Sequence, residues 1–181
     1  DRDLLLNEIH MRVRNNLQLI SSIINLQAAE ISDNTARNLV METQMRIESL
    51  ALVHQNLQHS PDHAHIRVQE YLERAAFGMT ESFEVDTGRI GISLDAGDLV
   101  IGLDSGIAFG LVVNELLSNA LLHAFPGSKT GQVSISVQKT MNNEVSLVVK
   151  DDGIGLPVGF DPATAGTLGL TLVRTLVEEQ L

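Results

Sequence analysis

An α+β chain is predicted: a long antiparallel helical hairpin first, then a domain that mixes helices with short strands. Two observations carry this. Positions Leu6, His10, Val13, Leu17, Ile20, Ile24, Gln27 and Ile31 are spaced alternately four and three apart, and a second such seam runs through Ala36, Val40, Thr43, Ile47, Leu50, His54 and Leu57. That is the spacing of helices packed on helices. Farther along the period switches, and Gln132 to Gln138 and Val145 to Lys150 alternate across Met141-Asn142-Asn143, as paired strands do.

The two seams are separated by Ser32-Asp33-Asn34-Thr35, side chains suited to capping a new helix. So short a turn forces the helices antiparallel, and one hairpin cannot cover its own seam. A dimeric four-helix bundle is the simplest solution; the alternative is a hairpin lying on the second domain. The boundary is expected at 60/61, giving a hairpin over 1–60 and a second domain over 61–181. The stretch His59 to His65, with Pro61, reads as a linker. Its histidines, His59, His63 and His65, read as solvated linker side chains, the commoner case, and no metal is assigned to them.

Beyond the linker, Val68, Leu72, Ala75, Met79 and Phe83 mark a helix, and Arg89 to Leu94 and Leu99 to Leu103 read as short strands. A long helix follows over about Ile107 to Ala124, then the strand pair. Leu156 to Thr167, with Pro157, Gly159, Pro162 and Gly166, reads as a mobile loop long enough to close over a ligand. Leu170 to Gln180 forms the last helix.

Composition narrows the function. The chain has 181 residues, 44% of them apolar, and a net charge of -11, which argues against a nucleic-acid partner or adhesion to anionic lipid. Few aromatics and no Trp leave little to stack on bases. Without cysteine there is neither a disulfide framework nor a thiolate site. No signal peptide and no apolar run near the roughly 20 residues of a membrane span are evident, so a cytoplasmic segment without direct membrane contact is expected. The chain opens inside a helical pattern, as a piece cut from a longer protein would.

The chemistry concentrates in Val113 to Phe125 and Asp151-Asp152-Gly153-Ile154-Gly155. Helical spacing brings Glu115, Asn119 and His123 onto one polar stripe. An Asn on an otherwise oily helix makes sense as a hard oxygen ligand for magnesium carrying phosphates, whereas the plain alternative is a solvated helix back. Asp151 ends a strand before two glycines and can accept a hydrogen bond from an exocyclic amine, although Asp-Gly turns of this kind are common. Gly166-Thr167-Leu168-Gly169-Leu170 opens a helix, and such an N-terminus is a natural phosphate site.

The segments NELLSNALLHAF, DDGIGLP and GTLGLTLV resemble, in order and spacing, the N, G1 and G2 boxes of the histidine-kinase ATPase domain, a relative of Hsp90, gyrase B and MutL. The resemblance covers about residues 66 to 181. It implies a Bergerat-type two-layer α/β sandwich that binds ATP with magnesium. In that reading Asn119 holds the metal, Glu115 orients the site and Asp151 receives the adenine amino group. Gly153, Gly155, Gly166 and Gly169 permit close backbone approach, and His123, Thr167, Leu168 and Leu170 complete the nucleotide contacts. Two departures stand out: Leu122 where the resemblance leads one to expect Lys, and a final glycine turn and two strands for which the sequence to Leu181 leaves no room.

Glu8 to Gln18 resembles the phosphoacceptor helix with the pattern E-[IV]-H-H-R-V-K-N-N-L-Q, and the match extends over residues 4 to 30. The second histidine of that pattern is here Met11. The heptad puts His10 on the seam and Met11 on the exposed flank. Either His10 accepts the phosphoryl group in a shifted register, or the acceptor is absent and the core binds ATP without autophosphorylation. The resemblance implies a sensor histidine kinase core: a homodimer through the hairpin that phosphorylates itself on histidine and passes the group to an aspartate on a response-regulator receiver domain. The alternative from another class is a kinase-like dimer that binds nucleotide and acts on a partner by shape. A clamp of the Hsp90 or MutL type fits the upstream hairpin and the short lid poorly.

Overall fold

The computed structural model describes residues 2–59, 64–142, 144–161 and 168–179. Two long helices come first, α1 (Arg2–Glu30) and α2 (Asn34–His59). The turn is built as its side chains require: the Asp33 carboxylate accepts the backbone N–H groups of Thr35 at 3.2 Å and Ala36 at 3.3 Å, and Arg37 Nε donates to the Ile31 carbonyl at 3.1 Å. These bonds satisfy donors and acceptors left open at the two helix ends.

The inward line of α1 runs through Leu6, His10, Val13, Leu17, Ser21, Ile24, Ala28 and Ile31, so Ile20 and Gln27 of the expected seam face outward, replaced by Ser21 and Ala28. A straight helix at 3.6 residues per turn drifts off a strict heptad. The consequence is an apolar outer flank, with Leu5, Ile9, Leu19, Ile20, Ile23 and Leu26 exposed.

α2 is covered on two sides. One side meets α1; the other enters the main core, where Val53 and Leu57 are fully buried with Ile66, Tyr71, Leu72, Val113 and Leu117. Ser49 Oγ donates to the Gly110 carbonyl at 3.0 Å and lies 3.2 Å from the Tyr71 hydroxyl. Burial pushes the Tyr71 hydroxyl up to about 12, against the opposing effect of its hydrogen bond with Ser49. α2, and not the hairpin as a pair, therefore lies on the second domain.

Past the hairpin come β1 (His65–Arg67), α3 (Val68–Ser82), β2 (Ile90–Asp95), β3 (Val100–Gly102), α4 (Leu103–His123), β4 (Gly131–Lys139), β5 (Val145–Asp151) and α5 (Leu168–Glu179). Strands β1 and β3 pair antiparallel; β2, β4 and β5 form a sheet in that order, with β2 parallel to β4 and β4 antiparallel to β5. Val133, Ile135 and Val137 alternate inward along β4 and are buried with Ile90 in the core that also takes in α3 and α4. The predicted two-layer α/β sandwich follows.

Three local expectations need correction. β1 falls where a linker was expected at His65; at three residues it is too short to show alternation. α4 begins at Leu103, not at about Ile107, and Gly106 near its start packs closely: a Cβ there would come within 2.4 Å of Ile66 Cδ1. α4 is also long and apolar enough to cross a membrane by length and composition, contrary to the expectation that no such run exists, but it is the core helix and mostly buried.

The hairpin holds two facing imidazoles, His10 Nδ1 and His54 Nδ1, 3.1 Å apart with ring centroids at 5.3 Å. Burial first, and then the charge of His10, hold His54 below its ordinary value of 6.5. A folded value below the unfolded one means the unfolded chain takes up the proton more readily, so stability present above about 6.5 falls as the pH drops through that value. Thermal unfolding should show a lower midpoint at about pH 5.5 than at about pH 7.5, and His54→Gln should flatten the difference; equal slopes in both proteins would count against it. A second expectation concerns Gly110, where a Cβ would come within 2.7 Å of the Tyr71 hydroxyl and 2.9 Å of Val53 Cγ2, both fully buried. Gly110→Ala should cost about 1–3 kcal/mol in denaturant unfolding.

Candidate nucleotide-binding site

α4 turns the polar residues of its middle turns toward a cavity. Asn114, Glu115 and Ser118 are buried, and Asn119 is half-buried. The cavity measures about 490 Å³, a size suited to a small organic ligand. Glu115, Asn119 and His123 line it from α4, Asp151, Gly155, Leu156 and Phe160 from the end of β5 and the loop beyond, and Gly169 and Leu170 from α5. Glu42 and Met45 of α2 close the remaining side.

The polar residues singled out in the second domain thus meet around one space. Asp151 stands at the last position of β5, and its Oδ1 accepts the Gly153 N–H at 3.0 Å. Gly155 has φ +72°, the left-handed region that glycine enters without strain, and a Cβ there would meet open space. Gly153 differs from expectation: it does not line the cavity, and its close approach is to the end of α4, where a Cβ would come within 2.3 Å of the Ala124 carbonyl oxygen. Ile154 N–H donates to that same carbonyl at 2.9 Å, which pins the turn to the helix. Gly169 likewise lies against protein, its would-be Cβ 2.3 Å from Glu115 Oε2. Gly166 and Thr167 lie outside the described residues, and Leu168 opens α5.

The sequence reading missed Arg46. Its Nε donates to Glu115 Oε1 at 2.5 Å and its Nη2 to Glu115 Oε2 at 3.1 Å, with only 14% and 9% of the two side chains exposed. The hydrogen bond to Glu115 pushes the guanidinium above its ordinary value, against the opposing effect of burial. Next to it, Asn114 Nδ2 donates to the Met45 carbonyl at 3.2 Å. Nothing in a heptad or a glycine box marks an arginine that pairs with a partner 69 residues away. Leu122, where Lys was expected, is 47% exposed at the cavity wall.

His10 is not part of this cavity. It is 4% exposed inside the hairpin, whereas Met11 is 41% exposed on the flank.

The comparisons agree with this architecture. A profile described as "Histidine kinase" matches residues 8–83, and one described as "Histidine kinase-, DNA gyrase B-, and HSP90-like ATPase" matches residues 105–181. The chain is 37% identical over 182 residues to the sensor histidine kinase PdtaS of Mycobacterium tuberculosis, covering 99% of this chain and 36% of that protein. It is 29% identical to blue-light-activated histidine kinase 2 of Erythrobacter litoralis, covering 96% of this chain and 50% of that protein. The chain therefore spans about a third to a half of these relatives. The solved histidine kinase domain of the Erythrobacter litoralis EL346 blue-light activated kinase superposes with TM-score 0.67 at 26% identity, over 98% of this chain and 84% of that one. A helical hairpin matched by one histidine kinase profile and a sandwich matched by the other, aligned along the whole chain with these relatives, show that the chain belongs to the histidine kinase family.

Proposed function

We propose that the protein binds ATP with magnesium in the α4 cavity, transfers the γ-phosphoryl group to a histidine of a hairpin, and hands it to an aspartate on a response-regulator receiver domain in the cytoplasm. The observation that carries this is the meeting of Asn119, Asp151, Gly155 and Gly169 around one cavity. The Asn119 amide oxygen suits a hard cation that keeps most of its ligands as water and phosphate. The metal would neutralise charge on the phosphates, and the chain's own work is positioning. Asp151, at a strand end, offers the acceptor that an exocyclic amine needs.

The hairpin supports assembly with a second copy. The outer flank of α1 exposes Leu5 and Ile9 at one end and Leu19, Ile20, Ile23 and Leu26 at the other, on a chain of net charge -11, apolar surface of the kind that marks an interface. Dimerisation there would complete the four-helix bundle.

One observation bears on the acceptor. A phosphoacceptor must present a neutral ring nitrogen to the incoming phosphate, and His10 is buried against His54 while Met11 occupies the accessible flank. Labelling at His10 therefore requires the hairpin to open, and a core that binds ATP with little self-labelling is the second reading.

Three outcomes test these statements. Asp151→Asn should weaken ATP binding about tenfold or more, because an amide can present a donor to a donor; unchanged calorimetry would exclude the adenine role. Sedimentation at micromolar concentration should give twice the monomer mass, and a monomer with intact helices would reject the bundle. With radiolabelled ATP, Met11→His should create or greatly raise an acid-labile phosphohistidine that survives His10→Ala. Strong wild-type labelling abolished by His10→Ala, with ATP binding intact, would instead make His10 the acceptor.

A further inference from the structure

The ATP cavity is lined by the carboxylates of Glu42, Glu115 and Asp151 and, among the described residues, by no lysine or arginine. A nucleoside triphosphate brings several negative charges, of which a magnesium ion offsets only part. A site with this lining repels its ligand unless a cation stands close by. Arg46 does so. It is carried on α2, holds both Glu115 oxygens, and lies beside the glycine of α5 that faces the cavity: a Cβ on Gly169 would come within 3.8 Å of Arg46 Nη2.

We propose that Arg46 is a positioning residue of the ATP site supplied by the helical hairpin: by neutralising Glu115 it lets the cavity accept phosphates, and only while α2 is docked. This rests on the ATP reading above. The pair is largely buried, so its electrostatics are weakly screened, and a Glu115 left alone would put an uncompensated charge beside the phosphates. Linkage makes the effect reciprocal: whatever undocks α2 weakens ATP, and ATP favours the docked hairpin. A bridge that only held the two halves together would change stability but treat phosphorylated and unphosphorylated ligands alike.

The test titrates the full chain with magnesium ATP and, separately, with adenosine. In Arg46→Met, ATP affinity should fall roughly tenfold or more while adenosine stays within about twofold. Arg46→Met combined with Glu115→Gln should regain most of the ATP affinity. Unchanged ATP binding in Arg46→Met, an equal loss for both ligands, or no recovery in the double variant would each overturn the inference alone. Should Arg46→Met not fold, Glu115→Gln carries the test: ATP should bind severalfold tighter with adenosine unmoved, and an unchanged or lower affinity overturns it. Wild-type protein that binds neither ligand would overturn the ATP reading and this inference with it.

Discussion

An arginine and a glutamate taken largely out of water must be paired, because either one alone is costly to bury. Arg46 and Glu115 meet that demand with two hydrogen bonds from a flat guanidinium to a flat carboxylate, a geometry lysine cannot reproduce. The pair decides where α2 lies along α4. With that register set, Ser49 reaches the Gly110 carbonyl and Met45 offers its own carbonyl to Asn114. The hairpin and the sandwich thus share one core, with Val53 and Leu57 among its buried members.

The same constraint explains the composition of α4. The helix has neighbours on every side: α2 across Gly110, β1 across Gly106, the sheet below, and α5 at its far flank, where Ala108, Val112 and Leu176 form a second small cluster. Glycine is costly inside a helix by about 1 kcal/mol relative to alanine. Here it admits Ile66, Tyr71 and Val53 to distances that a methyl group would forbid. Glu115, Ser118 and Asn119 are left the direction where this packing stops, the cavity.

Periodicity made the elements legible, and the residues it failed on share a cause. The hairpin, the capping at Asp33, α3, the β4–β5 pair and the stripe Glu115, Asn119, His123 all follow from local spacing, which needs no knowledge of a neighbour. Ser21 and Ala28 replaced Ile20 and Gln27 because the partner of α1 was not known, and a drifting helix buries whatever faces that partner. Gly106 and Gly110 carry no local signal, since only the distance to Ile66 or Tyr71 reveals their purpose. Gly153 was assigned to the ligand, yet the carbonyl it must avoid belongs to Ala124. Arg46 is the extreme case, a long-range contact from a helix surface position that carries no motif.

The two hairpin helices end up with different freedoms, and this bears on how such a core could work. α2 is packed on both sides and tied by Arg46, Ser49 and the Asn114–Met45 bond, so moving it disrupts the site wall formed by Glu42 and Met45. α1 touches chiefly α2, leaves an apolar flank in water, and keeps His10 inside through its contact with His54. Two imidazoles meeting nitrogen to nitrogen can share one N–H but not two, so the contact suits a neutral pair and loosens once both rings are protonated. A rearrangement that exposes His10 therefore has its least costly route through α1, leaving α2 and the carboxylate it neutralises in place. In such a division the first helix is the one left free to move, while the second holds the cavity wall formed by Glu42 and Met45.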